Sequence, residues 1–140
     1  MLHVVLDPVV MLRALINPHS PCGQLLSDYA DRYRAVFSDD TIRVLRFLLV
    51  HPFLVFRFPL LVEISPSKLA RVLQYADRVQ VPTEPGDSVF ITLARAARVD
   101  YVICEDQVLL SACQSQGIPV LNARTFLGLL DPDLFLPASG

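Results

Sequence analysis

Apolar and polar positions alternate in blocks along the chain, and the blocks switch between the strand and the helix period. Leu2–Leu6 (LHVVL) is a short continuous apolar run that reads as a buried strand. Val9–Ile16 follows at helical spacing and stops at Asn17-Pro18. Ser20-Pro21 supplies an N-cap and a first-turn proline for a second helix through about Arg32. Arg34–Phe37 is a short strand, and Ser38 caps a third helix with Ile42, Leu45, Leu48 and Leu49 on its inner face. Asp39 and Asp40 suit the positive N-terminus of that helix.

The stretch His51–Ile64 does not resolve by pattern. Pro52 and Pro59 interrupt it, yet Phe53, Leu54, Val55, Phe56, Phe58, Leu60 and Leu61 are apolar. It reads as a short helix or a loop over the core, and as ordinary core ahead of a protein contact. Ser65-Pro66 then starts a helix to about Ala76, and Arg78–Val81 is a strand ended by Pro82. After the turn Thr83–Gly86 come a helix over Asp87–Arg98, a strand over Tyr101–Cys104 and a helix over Val108–Gln116. Pro119–Leu121 is the last strand and Thr125–Leu130 the last helix. Repeated strand–helix units imply right-handed crossovers and a central parallel β-sheet flanked by helices on both faces, a three-layer α/β fold. Residues 1–130 read as one domain and residues 131–140 as a C-terminal tail.

Composition narrows the function classes. With 140 residues and 53% hydrophobic positions, a full core is affordable in chain length and disorder is not expected. The net charge of −2 gives no global basic footprint for nucleic acid. The three cysteines have no metal-binding spacing and fit a reducing, cytoplasmic setting. No run is long and apolar enough for a membrane span, because Arg46, His51, Pro52, Arg57 and Pro59 break the most apolar region. Glycines are isolated, so a phosphate-cradling loop is not expected, and no GxSxG occurs.

The candidate chemistry is acidic. Asp7 closes the first strand, Asp106 follows the strand YVIC, and Asp87 starts the helix before it. In an open parallel sheet, ligands bind beyond the carboxyl ends of the strands, so these acids fall on one edge. Each acid alone also has a bland role as a helix cap. Together they suit a hard divalent cation, Mg²⁺ or Mn²⁺. Asp39 and Asp40 fall on the same edge.

At these residues the chain resembles the PIN-domain (PilT N-terminus) ribonucleases, and within them the toxin components of bacterial toxin–antitoxin systems. The family's opening Asp-Thr-Asn-Val corresponds to Asp7-Pro8-Val9-Val10. Its Asp-Pro-Asp-Asp-like run before an Ala-rich helix corresponds to Glu84-Pro85-Gly86-Asp87 and FITLARAARVDYVI. Its Thr-Gly-Asp corresponds to Cys104-Glu105-Asp106, and its closing strand and helix to IPVLNARTFLGLL. The resemblance implies metal-dependent RNA cleavage, with Asp7, Asp87 and Asp106 as catalytic and metal-binding residues. It further implies RNA as substrate, and an antitoxin protein and a second copy of the chain as partners. Arg13 and Arg95, arginines near the rim, are the candidates to engage the RNA phosphates of an active enzyme. The chain departs from the family at Val9, at Val44 (in place of a helix Glu), at Cys104 and at Val108. Asp40, four residues before Val44, is the candidate to replace the missing acid as a metal ligand. Two readings follow: an active ribonuclease, or a catalytically weak binding protein on a nuclease fold. A phospho-acceptor receiver domain would want an acidic pair at the first strand and a late lysine, whereas Lys68 is the one lysine here.

Overall fold

The computed structural model describes residues 1–134, with the side chains at 60–62, 64 and 65 outside the description. Its elements are β1 (His3–Leu6), α1 (Pro8–Ile16), α2 (Pro21–Leu26), β2 (Arg34–Ser38), α3 (Asp39–Leu49), α4 (Pro52–Arg57) and α5 (Pro59–Gln74). The second half adds β3 (Asp77–Val79), α6 (Val89–Ala97), β4 (Tyr101–Ile103), α7 (Gln107–Ser115), β5 (Val120–Leu121) and α8 (Ala123–Leu130). The five strands form one sheet in the order β3-β2-β1-β4-β5. Every pairing is parallel, with Val4 opposite both Ala35 and Tyr101.

Side-chain alternation along the strands builds two cores, one on each face. Val4, Leu6, Ala35 and Phe37 point to a cluster completed by α1, α2, α3 and α8, including Ile42, Leu45, Phe126 and Leu127. Val5, Val36 and Val102 point the other way, onto Phe90, Leu93 and Ala94 of α6 and Leu109 and Cys113 of α7. Full burial of side chains such as Phe37, Phe126 and Leu93 contributes about 1.5–3 kcal/mol each. The expected three-layer α/β architecture is therefore present.

The helix starts are set locally. Asp7, Ser20, Ser38, Ser88, Asp106 and Asn122 each cap the helix that follows with a side-chain oxygen. Three expectations need correction. The second helix ends at Leu26 rather than near Arg32, because Ser27 leaves the helical region, and a short 3-10 turn over Ala30–Arg32 follows. The helix expected from Ser65-Pro66 begins at Pro59 and carries Pro66 in its interior. Proline at Pro59 is suited to a first turn, so a start signal was present seven residues before Pro66. Finally, α4 has no buried residue, and Phe53 and Phe56 are 62% and 90% exposed, so this part of His51–Ile64 is not core.

The strand order reverses between β1 and β4, which are neighbours and lead to opposite halves of the sheet. That switch point is where an open α/β sheet leaves a crevice at its carboxyl edge. β1 ends at Leu6 and β4 at Ile103, so Asp7 and the segment Cys104–Asp106 form its floor.

Candidate functional site

Asp7 is the buried anchor of this crevice, with 0% exposure. A carboxylate is kept in such a place by hydrogen bonds that replace its water. One oxygen accepts the Val10 amide at 2.7 Å, which caps α1. The other accepts the amides of Glu105 at 3.0 Å and Asp106 at 3.3 Å. Asp7 thus ties the end of β1 to the chain leaving β4, and the Asp7 amide returns a bond to the Ile103 carbonyl at 3.0 Å.

Asp106 is half-buried and caps α7 through the Val108 amide at 3.1 Å. Cys104 is fully buried beneath it and donates its thiol to the Asp106 carbonyl at 3.0 Å. Burial pushes the Cys104 thiol well up, and the adjacent Asp7 carboxylate adds to the effect. It stays a neutral thiol, suited to packing rather than to nucleophilic work.

Glu105 is the carboxylate that sequence reasoning placed only as a neighbour. One oxygen accepts the Ala123 amide at the start of α8, at 3.1 Å, and lies 3.8 Å from the Cys22 sulfur. The other pairs with the Arg13 guanidinium at 3.3 Å. Burial pushes the Cys22 thiol up to about 12, with Glu105 reinforcing the shift. Glu105 therefore clamps α1, α2 and α8 together at the mouth of the crevice. Arg13 is drawn to this carboxylate, while Arg95 is exposed on the last turn of α6.

The other candidate acids have partners or settings of their own. Ser88, not Asp87, caps α6, and Asp87 sits exposed in the preceding turn with its amide on the Glu84 carbonyl. Asp40 pairs with Arg43 at 2.9 Å and accepts the Thr83 amide at 3.1 Å. Hydrogen bonding from Thr83, aided by Arg43, holds its carboxyl below the usual range. Asp39 pairs with Arg78 at 2.9 Å. Both acids are thus bound toward the β2–β3 side. Val44, where the resemblance expects an acid, packs against the apolar cluster around α6. Val108 is 78% exposed beside Asp106.

Among the described residues, no three His, Cys, Asp or Glu side chains come together in a way that would hold a metal ion. The fold brings Asp7, Glu105 and Asp106 into one crevice through backbone amides. Their carboxyl groups face different partners: amides for Asp7, the α7 cap for Asp106, Arg13 and α8 for Glu105. A divalent ion wants several oxygens converging at roughly 2.0–2.6 Å, and this donor set does not fit that demand.

A parallel sheet in this order, with a buried acid at its switch point, defines a three-layer α/β domain with a crevice at its carboxyl edge. The PIN domain family model matches residues 3–108, and the chain belongs to that family. No curated protein matches the chain. Among the described residues no helix is long and apolar enough to cross a membrane.

Proposed function

We propose that this chain is a PIN domain of the ribonuclease-toxin type whose metal site is eroded, so that it binds RNA or protein partners and cleaves RNA weakly or not at all. The observation that carries the reading is Asp7. It is fully buried, and both oxygens are committed to the amides of Val10, Glu105 and Asp106. Two further sites support it. The α6 cap is a serine, with Asp87 outside it, and the helix position of the missing acid is Val44 in apolar contact. The toxin-type branch also implies an antitoxin protein and a second copy of the chain as partners in a cytoplasm. The exposed Phe47, Phe53 and Phe56 are the surface on which we expect such contact.

A second reading keeps catalysis, with Asp7 and Asp106 holding Mg²⁺ or Mn²⁺, Asp87 and Asp40 completing the site, and Arg13 and Arg95 on RNA phosphates. The proximity of Asp7 and Asp106 favours it, since the Asp106 amide lies 3.3 Å from an Asp7 oxygen. Calorimetry with Mn²⁺ and cleavage of a mixed RNA pool separate the two. Under the eroded reading, wild-type protein and Asp106→Asn give the same weak Mn²⁺ heats and the same slow cleavage. Restoring Val44→Glu with Val9→Asn then tightens Mn²⁺ by about 10–100-fold, the scale on which supporting ligand contacts act. Robust wild-type cleavage abolished by Asp106→Asn would establish the second reading instead.

A further inference from the structure

On the sheet face beneath α1, α2, α3 and α5, helix packing leaves a cavity of about 560 Å³. That lies within the roughly 300–1,000 Å³ of small-molecule sites. Its floor is apolar: Met11, Leu15, Leu45, Leu49 and Leu69 line it and are all buried. A space with such walls is a poor home for water and a good one for hydrocarbon. Tyr33 and Tyr75, which precede β2 and β3, also line it. The cavity therefore sits toward the amino edge of the sheet, away from the edge that carries Asp7.

Its rim is charged. Lys68 and Arg71 project from α5 one turn apart. Among the described residues neither makes an ion pair, whereas Arg13, Arg32, Arg34, Arg43 and Arg78 all do. Asp28 also lines the cavity, so the balance at its lining is two positive charges to one negative. The net single positive charge matches a monoanion better than a dianion. A guanidinium beside an ammonium is suited to a carboxylate, which the planar fork meets with two oxygens.

We propose that this cavity binds an amphipathic carboxylate, a medium-chain alkyl acid, with its chain on the leucine floor and its head group between Lys68 and Arg71. The proposal does not depend on the state of the acidic crevice. It is tested on the full chain with decanoate and with neutral 1-decanol, each below its aggregation concentration, by calorimetry and by methyl NMR. In wild-type protein, decanoate should shift the methyls of Met11, Leu15, Leu45 and Leu69. Lys68→Gln and Arg71→Gln should each weaken it by about tenfold, as expected for loss of a charge-assisted hydrogen bond. 1-Decanol should bind wild-type protein more weakly than decanoate by a similar factor. Three results would each overturn the proposal. One is absence of decanoate binding up to about 1 mM, the millimolar edge of specific affinity. The second is equal affinity of decanoate and 1-decanol, or of wild type and both variants. The third is methyl shifts confined to residues outside the cavity; this reading needs no variant, so a variant that misfolds leaves the test intact.

Discussion

Asp7 has two roles that compete. As a cap and strand tie it needs both oxygens on backbone amides; as a metal ligand it would turn them outward. The structural role predicts a large stability effect. In Asp7→Asn, one oxygen can still cap α1, but the side-chain NH₂ then faces the Glu105 and Asp106 amides, donor against donor. Leaving buried donors unsatisfied and losing the charged acceptor should cost about 2–4 kcal/mol. Urea unfolding of wild type and variant checks this, and a loss below about 0.5 kcal/mol, the level of a neutral surface change, would show that the carboxylate is not a structural tie. Lost activity in Asp7→Asn must accordingly be read beside its stability. Asp7 was legible in the sequence because strand end and Asp-Pro turn are both local signals. The role of Glu105 was not, because its partners Arg13, Cys22 and Ala123 lie 92, 83 and 18 residues away.

At the scale of elements, legibility followed the same rule. Helices α1, α3 and α8 could be placed because their caps and apolar spacing are neighbours in sequence. The starts and stops that misled are Ser27, which leaves the helical region after Leu26, and Pro66, which lies inside α5 instead of starting it. The start of α6 at Val89 rather than at Asp87 is a local effect, since Ser88 rather than the acid takes the cap. The capping box of α3 offers a clean measure of such local signals. The Ser38 hydroxyl accepts the Thr41 amide at 3.1 Å, and the Thr41 hydroxyl accepts the Ser38 amide at 2.9 Å. Both residues are buried. Ser38→Ala and Thr41→Ala should each cost about 1–2 kcal/mol. Because each substitution already disables part of the shared box, the double variant should cost less than the sum, by at least about 0.5 kcal/mol. Strictly additive losses in a double-mutant cycle of urea midpoints would mean that the two bonds act independently.

For the whole molecule, the parallel sheet and two-faced core were readable from alternating strand and helix periods. The cavity under α5 was not, since it arises from how four helices fail to fill one space. The two-faced core makes its own prediction through the thiols it encloses. Cys22, Cys104 and Cys113 are 3%, 0% and 0% exposed and belong to the cores on both faces. Burial raises all three thiols, Cys22 to about 12, and burial also raises the Tyr33 hydroxyl. These groups are neutral when protonated, and in the unfolded chain a thiol ionises near about 8.5. Below that pH both states hold the proton and stability does not change on this account. Above it the unfolded chain releases protons that the fold retains, so stability falls as pH rises, and Cys22 continues to contribute until about 12. Each thiol held neutral while its unfolded counterpart is ionised adds up to about 1.4 kcal/mol per pH unit to that slope. Urea midpoints should therefore be level around neutral pH and drop steeply above about pH 9. Cys113→Ala should shallow the alkaline slope by about one thiol's share. In the native state at neutral pH all three should resist alkylation and react together on unfolding. Rapid labelling of native Cys104 or Cys113, or an alkaline slope unchanged by Cys113→Ala, would show that the core opens around them far more readily than its packing implies.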